Sequence, residues 1–398
     1  MASKIKNIEV LELGEKGREI SSPWSSTILL VKLTSDDGLV GYGEAPTTLM
    51  TLPVKESMEE VKRVFQDADF FNVEKNLKDF YRNSFYLSKS MEATSALSAF
   101  EIASWDLIGK AVGSPVYKLL GGEFNQDLRA YANGWYSNCV TPEDFVKKAK
   151  EAHAKGFDAF KFDPFGDNYD RLSKEGLKNA VNIVSALRDE FGDSVDLLIE
   201  CHGRFSTRAA IDAGTALDEF SPLFMEEPVH PELEVGLAEL KRYIRTPIAL
   251  GERLLNKTDF ARYISEGLVD IIQPDLTNSL GILENKKTAA IAEAFGVPVA
   301  FHNAFGPIQT AATLNVDKTL PNFLIQESFE AFWPDWKRNL VKTGYKLENG
   351  RFTLSGKPGL GIEVNEKILE SSKVDGMEPF DPVEPPWVVS GTYKKPKA

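Results

Sequence analysis

Eight short β-rich runs separated by amphipathic helical stretches fill the middle of this chain, beginning near Leu128, Ala159, Asp196, Leu223, Ile248, Ile271, Val299 and Phe323. Their starts lie about 23 to 37 residues apart, the length of one strand plus a crossover helix. A crossover of that length brings the chain back parallel to the strand it left, so the pattern predicts a parallel sheet. Eight such units close a (β/α)8 barrel of the TIM type. A doubly wound sheet would more often show fewer units and a glycine-rich phosphate turn after its first strand, and the chain contains neither GxGxxG nor a Walker sequence.

The flanks read differently. Residues 1–45 alternate in a strand-like way around the DDG turn signal at 36–38, and from about Val54 to Val112 the apolar period becomes that of helices, ending at Gly113. Residues 1–125 are therefore expected to form an α+β domain, 126–345 the barrel, and the turn-rich 346–398 a C-terminal segment that returns to pack on the first domain. Two loops of the first domain, SSPWSST (21–27) and APTTLMTLPV (45–54), mix polar and apolar residues in a way that suits a lid over the barrel mouth, with Trp24 and Thr47 as candidate substrate contacts.

Composition narrows the partners. A net charge of −13 over 398 residues argues against nucleic acid, whose phosphates are met by surplus Lys and Arg. Only two cysteines occur, Cys139 and Cys201, in no metal-spaced set, and no apolar stretch approaches the roughly 20 residues that span a bilayer. With no signal-like N-terminus, a reducing, cytoplasmic setting without nucleic-acid or membrane partners is expected.

In a parallel barrel the working side chains sit at the C-terminal ends of the strands. Seven consecutive run ends here carry ionisable groups: Lys161 and Asp163, Glu200 and His202, Glu226, Glu252, Asp275, His302, and Glu327. Any one alone is as readily a salt bridge or a loop cap, but burying all of them without a ligand would be costly. Glu200, Glu226 and Glu252 end three successive runs, so on neighbouring strands their carboxylates converge into an oxygen cage for a hard divalent cation. Lys161/Asp163 and Glu200/His202 are each two apart and share a side if strand geometry persists. Of the four histidines, His153 sits on a charged helix and reads as a surface residue, while His230 either faces the site or caps its loop. A class II aldolase would need more histidine ligands than these positions supply.

The order KFD, ECHGR, MEEP, GER, QPD and HNAFGP on a barrel behind an α+β domain resembles the enolase superfamily in its mandelate-racemase-like subgroup. Within it, ECHGRF, EEPVH, IALGER, QPDLTN and AFHNAFG are similar to archaeal gluconate/galactonate dehydratases, and ASWDLIGK, YANGWY and PWVVSGT extend the likeness over almost the whole chain. The resemblance implies Mg²⁺, with Mn²⁺ as a substitute, held by Glu200, Glu226 and Glu252. It also implies a His302–Asp275 dyad as base, His202 as acid for the leaving hydroxyl, Lys161 and Glu327 beside the reacting carboxylate, and a homo-oligomer, an octamer. The reaction implied is dehydration of D-gluconate, or D-galactonate, to a 2-keto-3-deoxy acid. Alternatives are the same chemistry on D-arabinonate or D-xylonate, a 2-hydroxy-acid racemase or epimerase, and a silent barrel kept for binding, which would predict a broken ligand set.

Two positions depart from the subgroup pattern. Asp163 stands where many members carry a second Lys, which puts two-base racemisation in doubt and leaves Asp163 to pair with Lys161 or bind substrate. Glu200 replaces the commoner Asp but still supplies oxygen. Arg204 is expected either to reach distal substrate hydroxyls or to neutralise the acidic cluster. Glu327, if protonated, would donate a hydrogen bond to a developing oxyanion.

Overall fold

The structure, a computed structural model, describes residues 3–14, 27–47, 51–87, 89–374 and 376. Strands β1 (Ile5–Gly14), β2 (Thr27–Ser35) and β3 (Val40–Ala45) form an antiparallel sheet in that order, with β2 and β3 joined through the expected turn. Helices α1 (Thr51–Phe65), α2 (Val73–Asn83) and α3 (Met91–Val112) follow. Helix α3 starts where the Ser90 side chain accepts the Ala93 N–H and stops at Gly113, whose φ of 69° lets its N–H reach back to the last carbonyls.

The barrel begins with β4 (Leu128–Ala132). It continues through α4 (Pro142–His153), β5 (Ala159–Phe162), α5 (Lys174–Phe191), β6 (Asp196–Glu200), α6 (Thr207–Leu217), β7 (Phe224–Glu226), α7 (Glu234–Leu240), β8 (Ile248–Leu250), α8 (Lys257–Ser265) and β9 (Ile271–Ile272). Strands β4 to β9 pair in parallel in chain order. After α9 (Gly281–Ala294) and α10 (Pro307–Asp317), β10 (Gln326–Ser328) pairs in parallel with β4 and closes the ring.

The run at Val299 fills the seventh position without becoming a regular strand. Val299 makes single parallel bridges to Ile272 and Phe323, and Pro298, which has no N–H to give, serves only as an acceptor for Ile272 N–H at 3.1 Å. The eighth run pairs with β4 only from Gln326 onward, three residues later than its apolar start.

One buried cluster takes a residue from each of the eight barrel positions: Tyr131, Ala159, Leu198, Phe224, Ala249, Ile271, Ala300 and Ile325. Mixing Ala with Tyr and Phe lets these side chains interdigitate and plug the barrel centre. A second hairpin, β12 (Tyr345–Glu348) and β13 (Arg351–Leu354), pairs antiparallel with β4, while β11 (Val341–Thr343) pairs with β14 (Glu363–Val364). After α11 (Glu366–Ser372) the chain reaches the N-terminal sheet, where Lys373 bridges to Leu13 and Val374 N–H donates to Glu12. Among the described residues no helix is long and apolar enough to cross a membrane.

Two buried carboxylates of the N-terminal domain seat it on the barrel. Glu101 of α3 accepts the N–H groups of Ile282 and Leu283 at the start of α9, at 2.7 and 2.9 Å, and the Trp105 indole at 2.8 Å. Glu44 of β3 accepts those of Ile308 and Gln309 at the start of α10, at 3.1 and 2.9 Å. Helix N-termini present unpaired N–H groups, and a side-chain carboxyl from the opposing domain accepts them, although burial pushes Glu101 up to about 8 and Glu44 up to about 7. Gly281 has a φ of 77°, and a Cβ there would collide with the Glu101 carboxylate.

Replacing Glu101 with Ala strands three buried donors. It is expected to lower stability by about 2–4 kcal/mol. Urea unfolding followed by circular dichroism checks this, and an unshifted midpoint would mean that the docking contact contributes nothing net.

Candidate active site

Along a strand the residue two places on points the same way. Two residues beyond the apolar plug, the barrel mouth therefore shows Asn133, Lys161, Glu200, Glu226, Gly251, Gln273, His302 and Glu327. All but one are polar. The exception, Gly251, lies against the Gln273 backbone so closely that a Cβ would collide, and it passes the polar position to Glu252.

Lys161 is the hub. Its Nζ lies 3.0 Å from Glu200 Oε2, 2.7 Å from Glu226 Oε2 and 2.9 Å from Glu327 Oε1, with all four side chains buried. Burial opposes its charge, yet Glu226 and Glu327 hold its pKa well above the usual lysine range. Burial, with the Glu200 charge adding to it, pushes Glu226 up to about 8.

Glu327 meets three donors: Lys161, Asn133 Nδ2 at 2.7 Å and Asn303 N–H at 2.8 Å. Although burial works to raise it, Lys161, His302 and these hydrogen bonds hold its pKa below the ordinary value. With so many donors around it Glu327 is placed as an acceptor, an arrangement that favours the carboxylate over the protonated acid.

His302 Nδ1 lies 2.6 Å from Asp275 Oδ2, and its Nε2 lies 3.0 Å from Glu252 Oε2 and 3.9 Å from Glu327. Burial works against its protonation, but Glu252, Glu327 and Asp275 raise its pKa well above the histidine norm. Asp275 Oδ1 is separately anchored by Thr277 N–H and Oγ1 at 2.6 and 2.5 Å, which leaves Oδ2 for the imidazole.

The pair Glu200/His202 does not share strand geometry. Strand β6 ends at Glu200, and His202 has a φ of 52°; its N–H and that of Cys201 fold onto Glu200 Oε1 at 2.8 and 3.0 Å. The left-handed turn carries the His202 ring across to Asp163, with Nδ1 3.5 Å from Oδ2. Burial lowers the His202 pKa, but Glu200 and Asp163 outweigh it and push it up to about 9.

Asp163 pairs with neither Lys161 nor open space. Its Oδ1 accepts from Arg204 Nη2 at 2.5 Å and from Phe165 N–H at 2.9 Å. Arg204, whose side chain has no exposure, also donates to the Gly166 carbonyl and lies against the Phe165 and Phe205 rings. Of its two expected roles, neutralising the acidic cluster fits this placement, because a sealed guanidinium behind Asp163 does not line the mouth.

Thr47 is buried at the end of β3's loop, its hydroxyl 3.3 Å from the Thr27 carbonyl, and Trp24 lies outside the described residues. His153 is exposed, as expected of a surface residue, with one side of its ring against Phe160 and Phe191 and Nδ1 2.9 Å from the Phe157 carbonyl. His230 accepts the Glu232 N–H, capping its loop. Cys139 and Cys201 are both buried and free.

Among the described residues no three His, Cys, Asp or Glu groups are arranged as a ready metal cage. Lys161 spans Glu200 and Glu226, and Glu252 is turned to His302. The donor chemistry nevertheless suits a hard divalent cation: three carboxylates on adjacent strand ends, and a buried Glu226 Oε1 that lacks any hydrogen-bond partner.

Sequence reading missed Asn133 and Gln273, the latter donating to Glu226 Oε2 at 2.7 Å, together with Asn303 and the Glu227–Arg253 ion pair at 2.6 Å beside the mouth. The two-residue step beyond each inward apolar residue was the available signal for Asn133 and Gln273.

Comparison with known proteins agrees with this geometry. Residues 144–368 match the family described as enolase C-terminal domain-like, and residues 20–121 match the mandelate racemase / muconate lactonizing enzyme N-terminal domain. The chain is 70% identical over 390 residues to a D-gluconate/D-galactonate dehydratase of Picrophilus torridus, covering 98% of this chain and 99% of that one. It is 41% identical to a D-gluconate dehydratase of Thermoproteus tenax, covering 98% and 78%. The crystal structure of a mandelate racemase/muconate lactonizing enzyme from Sulfitobacter sp. superposes with a TM-score of 0.86 at 32% identity, covering 94% of this chain and 96% of that one. With a barrel ringed by these strand-end carboxylates under an α+β cap, and with likeness extending over nearly its full length, the chain belongs to the mandelate racemase/muconate lactonizing branch of the enolase superfamily.

Proposed function

We propose that this hydro-lyase acts on D-gluconate, removing the C2 proton and the C3 hydroxyl to give 2-keto-3-deoxygluconate, with D-galactonate as a second substrate. The relatives named as dehydratases of these acids support the substrate class. The observation that carries the chemistry is a pair of histidines, each backed by its own aspartate and both acting electrostatically on Glu252: His302 with Asp275, and His202 with Asp163. Dehydration needs one group to accept a proton and another to donate one, whereas racemisation needs two bases. His202 lies beside Asp163, which occupies the place of the second base, so the second proton-carrying group here is set to donate rather than to accept.

Glu200, Glu226 and Glu252 would hold Mg²⁺, or Mn²⁺ in its stead. Bound there, the cation would act as a Lewis acid on the substrate carboxylate and lower the cost of charge that builds as C2 loses its proton. Lys161 adds a fixed positive charge inside a desolvated pocket, where it acts strongly. His302 accepts the C2 proton at Nε2, which requires Glu252 to be turned away from that nitrogen. Asp275 keeps Nδ1 as the donor side and stabilises the imidazolium that results. His202 gives its proton to the C3 oxygen as the C–O bond breaks, so water rather than hydroxide departs. The enol left behind takes up a proton at C3 and becomes the 2-keto acid.

A panel of aldonic acids assayed for 2-keto-3-deoxy product by semicarbazide absorbance should show turnover of D-gluconate with Mg²⁺ and none after EDTA. Product that survives EDTA, or none from any acid with metal bound, would sink this proposal. In deuterated water, His302→Asn should lose both dehydration and C2 exchange by about 10²–10⁴-fold, the usual contribution of a general base. His202→Asn should lose dehydration to a similar extent while retaining measurable C2 exchange. Equal exchange in both variants would show the two histidine roles to be misassigned.

A further inference from the structure

Helix α10 opens beside the His302–Asp275 pair, and its first turn carries Gln309, which is fully buried. The two ends of its amide are committed to different partners. The side-chain oxygen accepts the Phe305 N–H at 2.8 Å, so the nitrogen is the end turned to Asp275, donating to Oδ2 at 2.8 Å. Flipping the amide would set oxygen against carboxylate and nitrogen against N–H, which fixes its orientation.

Oδ2 is also the oxygen that meets His302 Nδ1. Gln309 thus holds from the far side the very atom that orients the imidazole. Its own backbone N–H is held in turn by Glu44 of the N-terminal sheet. The next residue, Thr310, lies 3.1 Å from Asn303 Nδ2, and Asn303 donates its N–H to Glu327. One helical turn, capped by the other domain, therefore supports both sides of His302.

We propose that Gln309 is a positioning residue for the His302–Asp275 pair, and that Glu44 ties its placement to the seating of the N-terminal domain. The inference rests on the proposed function only in taking His302 as the base. Without the Gln309 donor, the Asp275 carboxylate is anchored at Oδ1 alone and can pivot about that anchor, carrying the imidazole off line. Partners of this kind, which orient a group that touches substrate, typically matter by about 10–100-fold in activity.

The test uses the full-length Mg²⁺-loaded protein and two variants. Gln309→Met removes donor and acceptor, while Gln309→Glu keeps the acceptor for Phe305 and turns only the donor into an oxygen. For D-gluconate, kcat should fall about 10–100-fold with KM within about 3-fold of wild type, and C2 exchange should fall in parallel with dehydration. Because the chain has four histidines, ¹⁵N-histidine labelling also isolates the proton between His302 and Asp275, and its downfield resonance should move upfield in both variants. A folded variant with unchanged kcat or an unmoved resonance overturns the proposal. A purely structural residue would lower the unfolding midpoint and leave both untouched. If Gln309→Met does not fold, Gln309→Glu carries the same readouts. If the wild type dehydrates no aldonic acid, it is the proposed function that falls, and the resonance alone decides for or against Gln309.

Discussion

In a closed parallel barrel every strand has one inward parity, and the site rests on that constraint. The inward residues Tyr131, Ala159, Leu198, Phe224, Ala249, Ile271, Ala300 and Ile325 form a dry plug, and the next inward residues are almost all polar. Charges set directly on an apolar floor are poorly hydrated, so they are forced to satisfy one another. Lys161 does so by meeting three carboxylates at once, and His302 by lying between Asp275 and Glu252. Acid outweighs base in that layer, as Glu226 with its orphaned oxygen shows. Such a surplus of buried carboxylate is the electrostatic precondition for a cation site.

The N-terminal domain is attached by the same kind of economy. Helices α9 and α10 both begin at the barrel mouth, each with unpaired N–H groups, and Glu101 and Glu44 are placed to accept them. The contacts join the domain to the two helices that follow Asp275 and His302 in the chain, so its seating bears on the dyad rather than on a remote face. The C-terminal strands and α11 complete the arrangement by returning the chain to the N-terminal sheet.

Much of the site was legible because strand ends are periodic. Lys161, Glu200, Glu226, Glu252, Asp275, His302 and Glu327 were identified from run ends alone, and all of them gather at one mouth. Inference faltered where the backbone left strand geometry. His202 reaches Asp163 through a left-handed turn rather than by parity, and the seventh run, led by a Pro298 that cannot donate, makes only isolated bridges at Val299 and His302. Arg204 admits two roles from its sequence position, and its pairing with Asp163, 41 residues away in the chain, is visible only in three dimensions. Asn133, Gln273 and Gln309 went unnoticed because neutral amides carry no charge signal and occur anywhere on a surface.

The sequence by itself determined the barrel, the cap and which strand ends bear ionisable groups, because alternation, helical period and crossover length are local properties written into short stretches. Only the tertiary structure decided who pairs with whom: Glu327 as the acceptor for Asn133, Asp163 as the partner of His202 and Arg204, and Gln309 as a donor to Asp275. Those assignments join residues up to 194 positions apart, as with Asn133 and Glu327, and they depend on sub-ångström differences in which oxygen meets which donor. Hydrogen-bond choice is settled by geometry in a desolvated space, and no local pattern of residues encodes it.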